Sequence, residues 1–145
     1  MPRRRPPHVI LALAALAVCV LVFQVALNAY DAGRLRYVLG RDALLIHHRQ
    51  EQKIPYRDMQ SVIFLPQMPA LHRLSWGTDL GRARFGRYNL TDVGEVRMFA
   101  ADAHRSLIVV RTAEVNFGLT PKDGEGFYRR LLGKIPKTEP PTIGE

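Results

Sequence analysis

The chain has 145 residues, enough for one ordinary domain; if about 30 residues form an anchor, roughly 100 remain to fold. Apolar residues make up 47% and charged residues 23%, ordinary globular proportions that hide two classes of segment, because the apolar residues concentrate near the start. Formal net charge is +8, and without Arg3, Arg4 and Arg5 there are still 18 basic residues against 13 acidic ones, so basicity runs through the folded part. The single cysteine, Cys19, excludes an intrachain disulfide.

Residues 1–8 form a basic tail. From Val9 to Ala29 there follow 21 residues without a formal charge, which as a helix at 1.5 Å per residue span about 31 Å and match the roughly 30 Å hydrocarbon core of a bilayer. Gln24 and Asn28 fall in the last third, near the interface, where polar groups cost little, and Tyr30 stands where an interfacial aromatic sits. The pattern predicts a transmembrane helix over 9–29. A cleaved signal peptide shares the basic start, but this run is longer than a usual signal core. Small residues are also missing three positions before a cut: Leu27 precedes a cut after Ala29, and Gln24 one after Ala26. A lipoprotein reading of Leu16-Ala17-Val18-Cys19 fails on Val18, which replaces the small residue expected before the cysteine. Three arginines before the helix predict a cytoplasmic N-terminus and an extracytoplasmic domain in the cell (inner) membrane. Arg34, Arg36 and Arg41 after the helix keep the asymmetry small.

Beyond the anchor, short apolar segments punctuated by Gly, Pro and Asp read as successive strands and turns, in a domain placed at 34–135. Tyr30 to Gly33 read as a linker of four residues, reaching only about 14 Å when extended, so the domain is expected almost on the bilayer. Arg34 to Leu39 and Ala43 to Arg49 form a hairpin around Gly40-Arg41-Asp42. Strands follow at Gln52 to Tyr56, Ser61 to Leu65, Arg84 to Leu90, Glu95 to Ala101, Ser106 to Thr112 and Glu114 to Leu119. Leu107 to Val110 has no polar face and predicts a central strand. A C-terminal helix is expected with Thr120 as N-cap and Pro121 at its first position, Asp123 and Glu125 loading the first turn, and Phe127 and Leu131 on one buried face. Residues 136–145, with Pro136, Pro140 and Pro141, are expected to be disordered.

The fold class expected from this order is mainly β: about seven antiparallel strands curled into a small barrel or sandwich, capped by the C-terminal helix and preceded by one transmembrane helix. The order of Tyr37-Val38-Leu39, Leu44 to Ile46, Ile54-Pro55-Tyr56-Arg57-Asp58-Met59, a basic Gly-rich segment, Phe85-Gly86-Arg87-Tyr88 and Gly118-Leu119-Thr120-Pro121-Lys122-Asp123 is similar to that of bacterial pleckstrin-homology-like (PH-like) domains. The resemblance covers about residues 35 to 133. It implies a seven-stranded barrel with a C-terminal helix, often on membrane-anchored proteins and usually without an assigned activity. Eukaryotic pleckstrin-homology domains that bind phosphoinositides carry basic residues around the first inter-strand loop. Here that loop offers only Arg41 beside Asp42, so phosphoinositide binding does not carry over.

No catalytic apparatus is recognisable. His8, His47, His48, His72 and His104 fall in no metal-ligand spacing, and His47 and His48, adjacent on a strand, point to opposite faces, so no metal is expected. Gly-x-Ser-x-Gly is missing, and Gly77, Gly81 and Gly86 match neither a P-loop nor a dinucleotide fingerprint, so no cofactor is expected either. The segment from Leu71 to Tyr88 combines four arginines with the only tryptophan and reads as a long inter-strand connection. Arg73, Trp76, Arg82, Arg84 and Arg87 are therefore the candidate residues for binding a partner protein or lipid headgroups. The expected partners are the bilayer, through the N-terminal helix, and a membrane or envelope protein, with no role for nucleic acid. The alternative is a membrane-anchored hydrolase or transferase whose residues converge only in the fold.

Overall fold

The structure is a computed structural model. It describes residues 7–78 and 82–136, with side chains throughout except at residues 74–78. The expected disordered tail, like the first six residues, lies almost wholly outside the described residues.

The uncharged run and its flanks form one helix, α1, Pro7–Arg34. It is long and apolar enough to cross a membrane, and the apolar stretch that qualifies it is not buried against the rest of the chain, as the core helix of a globular domain would be. Helical geometry continues through Tyr30 to Gly33, so the residues read as an extended linker are instead the last turn of α1. Leu35, immediately after it, is already buried in the core.

Among the described residues nine strands follow, in two sheets. β1 (Arg36–Leu39), β2 (Ala43–His47) and β3 (Gln52–Pro55) make an antiparallel three-stranded sheet. β4 (Met59–Leu65), β5 (Leu71–Thr78), β6 (Arg84–Leu90), β7 (Gly94–Ala100), β8 (Leu107–Thr112) and β9 (Asn116–Leu119) make a second sheet in the order β4-β8-β9-β7-β6-β5, antiparallel except where β7 meets β9. The mainly β, PH-like architecture is present, but the two sheets are not hydrogen-bonded into the closed barrel expected. The expected central strand is confirmed: Leu107 to Val110 are fully buried, flanked by β4 and β9.

Most of the core lies between the sheets. Leu44, Ile46 and Ile54 from the small sheet meet Phe99, Ile108, Val110, Phe117 and Leu119 from the large one. The helix α2, Gly124–Leu132, closes this cluster with Phe127 and Leu131. Its N-cap is Asp123, three residues later than expected, with the Asp123 carboxylate accepting from the Gly126 N–H at 3.0 Å. Thr120 is instead fully buried, its N–H donating to the Tyr37 hydroxyl. A second cluster lies on the other face of the large sheet, around Tyr88, Leu90, Val96, Met98, Leu107 and Val109. Ile63 and Leu65 of β4 and Leu71 of β5, from opposite ends of the strand order, both pack on it, so the large sheet curls over its own second face. Gly118 permits that close packing: a Cβ there would come within 2.4 Å of Met98 Sδ and 3.0 Å of Val96 Cγ1.

Two of the segments that carry the resemblance, Ile54 to Asp58 and Leu119 to Asp123, prove to form corners. In the first, Tyr56–Asp58 forms a single 3-10 turn that carries the chain from the small sheet to the large one. Tyr56 is buried there and its hydroxyl donates to Gly40 O at 2.9 Å, while its N–H donates to Asp42 O at 3.1 Å, tying the β1–β2 turn to this corner. In the second, Leu119 to Asp123 joins β9 to α2.

Candidate binding site

Three places on the domain collect functional-looking groups. The first is the C-terminal end of α1. Asp31 and Asn28, in the last two turns of α1, are 6% exposed, unusual for polar residues on a helix that leaves most of its surface open. Arg49, just beyond β2, explains Asp31: its Nε and Nη2 both donate to Asp31 Oδ2, at 2.9 and 2.5 Å. His48 lies beside this pair, stacked on Phe85 at 4.3 Å between ring centroids and edge-on to Phe99. Burial, with a smaller push from Arg49, lowers the His48 pKa below its ordinary value, partly opposed by Asp31. His47 points elsewhere and pairs with Glu51 at 3.0 Å, as alternation along a strand requires.

The second place is the β5–β6 hairpin, which bears the residues singled out from the sequence. Arg73 is exposed opposite Asn89 on the edge strand β5. Trp76 pairs with Arg87 through the ladder, and its side chain lies outside the described residues. Along β6, the buried Tyr88 and Leu90 mark the face toward the second cluster; Arg84 shares that face by alternation, while Arg87 emerges, exposed, on the other. Arg82 precedes β6 and sits 3.7 Å from Asp102 in a separate cleft. The five residues are therefore distributed over the edge strand, both faces of β6 and the cleft.

The structure supplies a neighbour that sequence spacing did not suggest. Arg97 of β7 lies directly across the ladder from Arg87, and both are exposed. Like charges in register on adjacent strands repel. Arg97 is held by Gln52 Oε1 at 3.4 Å and by the Phe99 ring at 5.4 Å, and neither arginine pairs with a carboxylate among the described residues. Only the register of β6 against β7 reveals the pair.

The third place is a cleft of about 730 Å³ between the end of α1, the start of β1 and the loop before α2. Arg36, Arg82, Arg105, Lys122 and Arg130 line it against two carboxylates, Asp102 and Asp123. Neither histidine nor serine is among its lining residues, so it does not assemble the His and Ser of a hydrolytic site. Nearby, the Tyr37 hydroxyl donates to Phe99 O and accepts from the Thr120 N–H, and burial pushes its pKa up to about 12, so Tyr37 is a fixed structural donor rather than an acid. No group of three or more His, Cys, Asp and Glu converges as a metal site among the described residues.

No curated protein and no solved structure matches the chain. The family model described as Bacterial PH domain matches residues 35–135, from the first residue after α1 to the end of the C-terminal helix region. Strand order, the two structural corners and this match agree over the same hundred or so residues, and the chain belongs to the bacterial PH domain family.

Proposed function

We propose that this chain is a single-pass membrane protein whose PH-like domain is a docking module, binding a partner protein or the membrane surface without catalysis. The observation that carries the reading is a bacterial PH domain joined without a linker to a helix of membrane-spanning length. Confinement beside the bilayer raises the effective concentration of weak sites toward other membrane components, so modest affinity suffices. Arg73, Trp76, Arg82, Arg84 and Arg87 are the docking residues of this reading, and the unneutralised Arg87–Arg97 pair supports an anionic contact on the partner. The arginine asymmetry around α1 favours the inner membrane with the domain on the extracytoplasmic side.

Two measurements test it. In a Cys19→Ala background, a cysteine at the exposed Glu114 is expected to react with an impermeant reagent in spheroplasts; reaction only after lysis reverses the topology. Chemical crosslinking of the full chain in native membranes is expected to give a discrete adduct that weakens at least tenfold when Arg73, Arg82, Arg84 and Arg87 are all replaced by alanine. An adduct pattern and lipid association unchanged by that replacement would sink the site assignment.

A further inference from the structure

The cleft beside the end of α1 combines five basic side chains with a volume of about 730 Å³. Helical rise places Gly33, which lines it, about 6 Å past Ala29, where the uncharged run ends. The headgroup layer of a bilayer is roughly 5–7 Å thick on each side of the hydrocarbon. If α1 spans, the cleft therefore begins at the level of the lipid phosphates.

Its charges are incompletely balanced at that level. Asp102 is shared by two guanidinium groups, Arg82 at 3.7 Å and Arg105 at 3.9 Å, and also accepts from the His104 N–H at 2.9 Å. Asp123 is committed to capping α2 and stands 3.8 Å from Arg130. Arg36 and Lys122 are exposed and face no carboxylate among the described residues; the Arg36 guanidinium reaches only backbone oxygens, of Gly33 and Leu35, at 3.4–3.5 Å. Five cations against two occupied carboxylates leave a surplus of about three positive charges around one concave space, and each basic group near an anionic membrane surface is worth about 1 kcal/mol of attraction.

We infer that this cleft holds the phosphate of an anionic phospholipid from the leaflet surrounding the anchor, with Arg36 and Lys122 as its direct ligands and Arg82, Arg105 and Arg130 as the surrounding field. The inference rests on the membrane reading of α1; of the five docking residues only Arg82 also belongs to the cleft. The site is also distinct from the β1–β2 loop, where Arg41 stands beside Asp42.

The test uses the full chain, first shown to resist alkaline carbonate extraction from membranes, then purified in a neutral detergent and titrated with phosphatidylglycerol, phosphatidylcholine or inorganic phosphate under native mass spectrometry. One phosphatidylglycerol per chain is expected at a concentration at least tenfold below that needed for phosphatidylcholine. The double variant Arg36→Gln, Lys122→Gln should lose that tenfold preference while its thermal melt stays within a few degrees of wild type, and Lys122→Arg should keep the preference. Arg41→Gln with Arg57→Gln should leave it untouched, because those exposed residues lie on the β1–β2 turn and the β3–β4 corner, outside the cleft. Equal retention of the two lipids, undiminished preference in the Arg36, Lys122 variant, or loss through the Arg41, Arg57 variant would each overturn the assignment. Displacement of the lipid by equimolar inorganic phosphate would make the cleft a soluble-phosphate site and overturn the lipid source. Release by carbonate would remove the membrane reading itself, an outcome separate from any change in selectivity.

Discussion

His48 shows how much a single residue's surroundings decide. Its imidazole is packed on Phe85 and Phe99 and stands next to the Asp31–Arg49 pair, and its buried Nε2 has no hydrogen-bond partner among the described residues. A ring so placed is favoured as the neutral form, which lowers the folded-state pKa below the ordinary 6.5. As pH falls through about 6.5 the unfolded chain takes up a proton that the folded chain refuses, so stability declines below that pH and levels only where the folded ring also protonates. Thermal melts of the full chain in detergent are expected to drop between pH 7 and pH 5, and His48→Phe should flatten that slope relative to wild type. An identical slope in the variant would place the pH dependence on other groups. Nothing in the adjacent letters His47-His48 distinguishes a ring exposed beside Glu51 from one packed on two phenylalanines; strand alternation separates their directions, and only the fold says what each meets.

Among elements, α1 was the most legible, because an uncharged run of bilayer length has few other readings. The eight strand segments expected from the sequence all coincide with observed strands, while β5 escaped. Its two register shifts, between Leu71 and Arg73 and between Leu74 and Trp76, break the period-two pattern that identifies a strand, so a bulged edge strand reads as a loop. The start of α2 was misplaced for a related reason: Thr120-Pro121 is a good capping pair locally, yet Thr120 is drawn into the core by Tyr37 and the cap passes to Asp123. Asp123→Ala is expected to cost about 1 kcal/mol, a fall in melting temperature of roughly 4–8 °C for a domain of this size. Because Asp123 also contributes one of the two negative charges of the cleft, the same variant should retain phosphatidylglycerol more strongly than wild type, a split that simple unfolding would not produce. The candidate site was less legible than the fold. The arginines of 71–88 were visible as composition, but Arg36, Arg82, Arg105, Lys122 and Arg130 come together from across the domain, and Arg87 meets Arg97 only through strand register.

At the scale of the whole molecule, α1 and the domain are joined without a break, the helix running to Arg34 and Leu35 entering the core. The carboxylate of Asp31 is buried and held by two donors from Arg49, although the Arg49 side chain is 59% exposed, which limits the strength of the pair to about 1 kcal/mol. Asp31→Ala should therefore lower stability only slightly but loosen the junction. Spin labels at Phe23 and Glu114, in a Cys19→Ala background, are expected to give a narrow distance distribution in wild type and a broader one in the variant. Equal widths would mean that helical continuity alone sets the angle. A rigid junction also makes the protein a lever. A transmembrane helix answers a change in bilayer thickness by tilting, and a tilt of about 10° carried through a domain about 30 Å across moves its far edge by about 5 Å. In the single-pass reading proposed above, with the last turn of α1 helical and Leu35 already in the core, that rotation passes to the domain, so the thickness of the surrounding lipid is converted into the position of the hairpin surface.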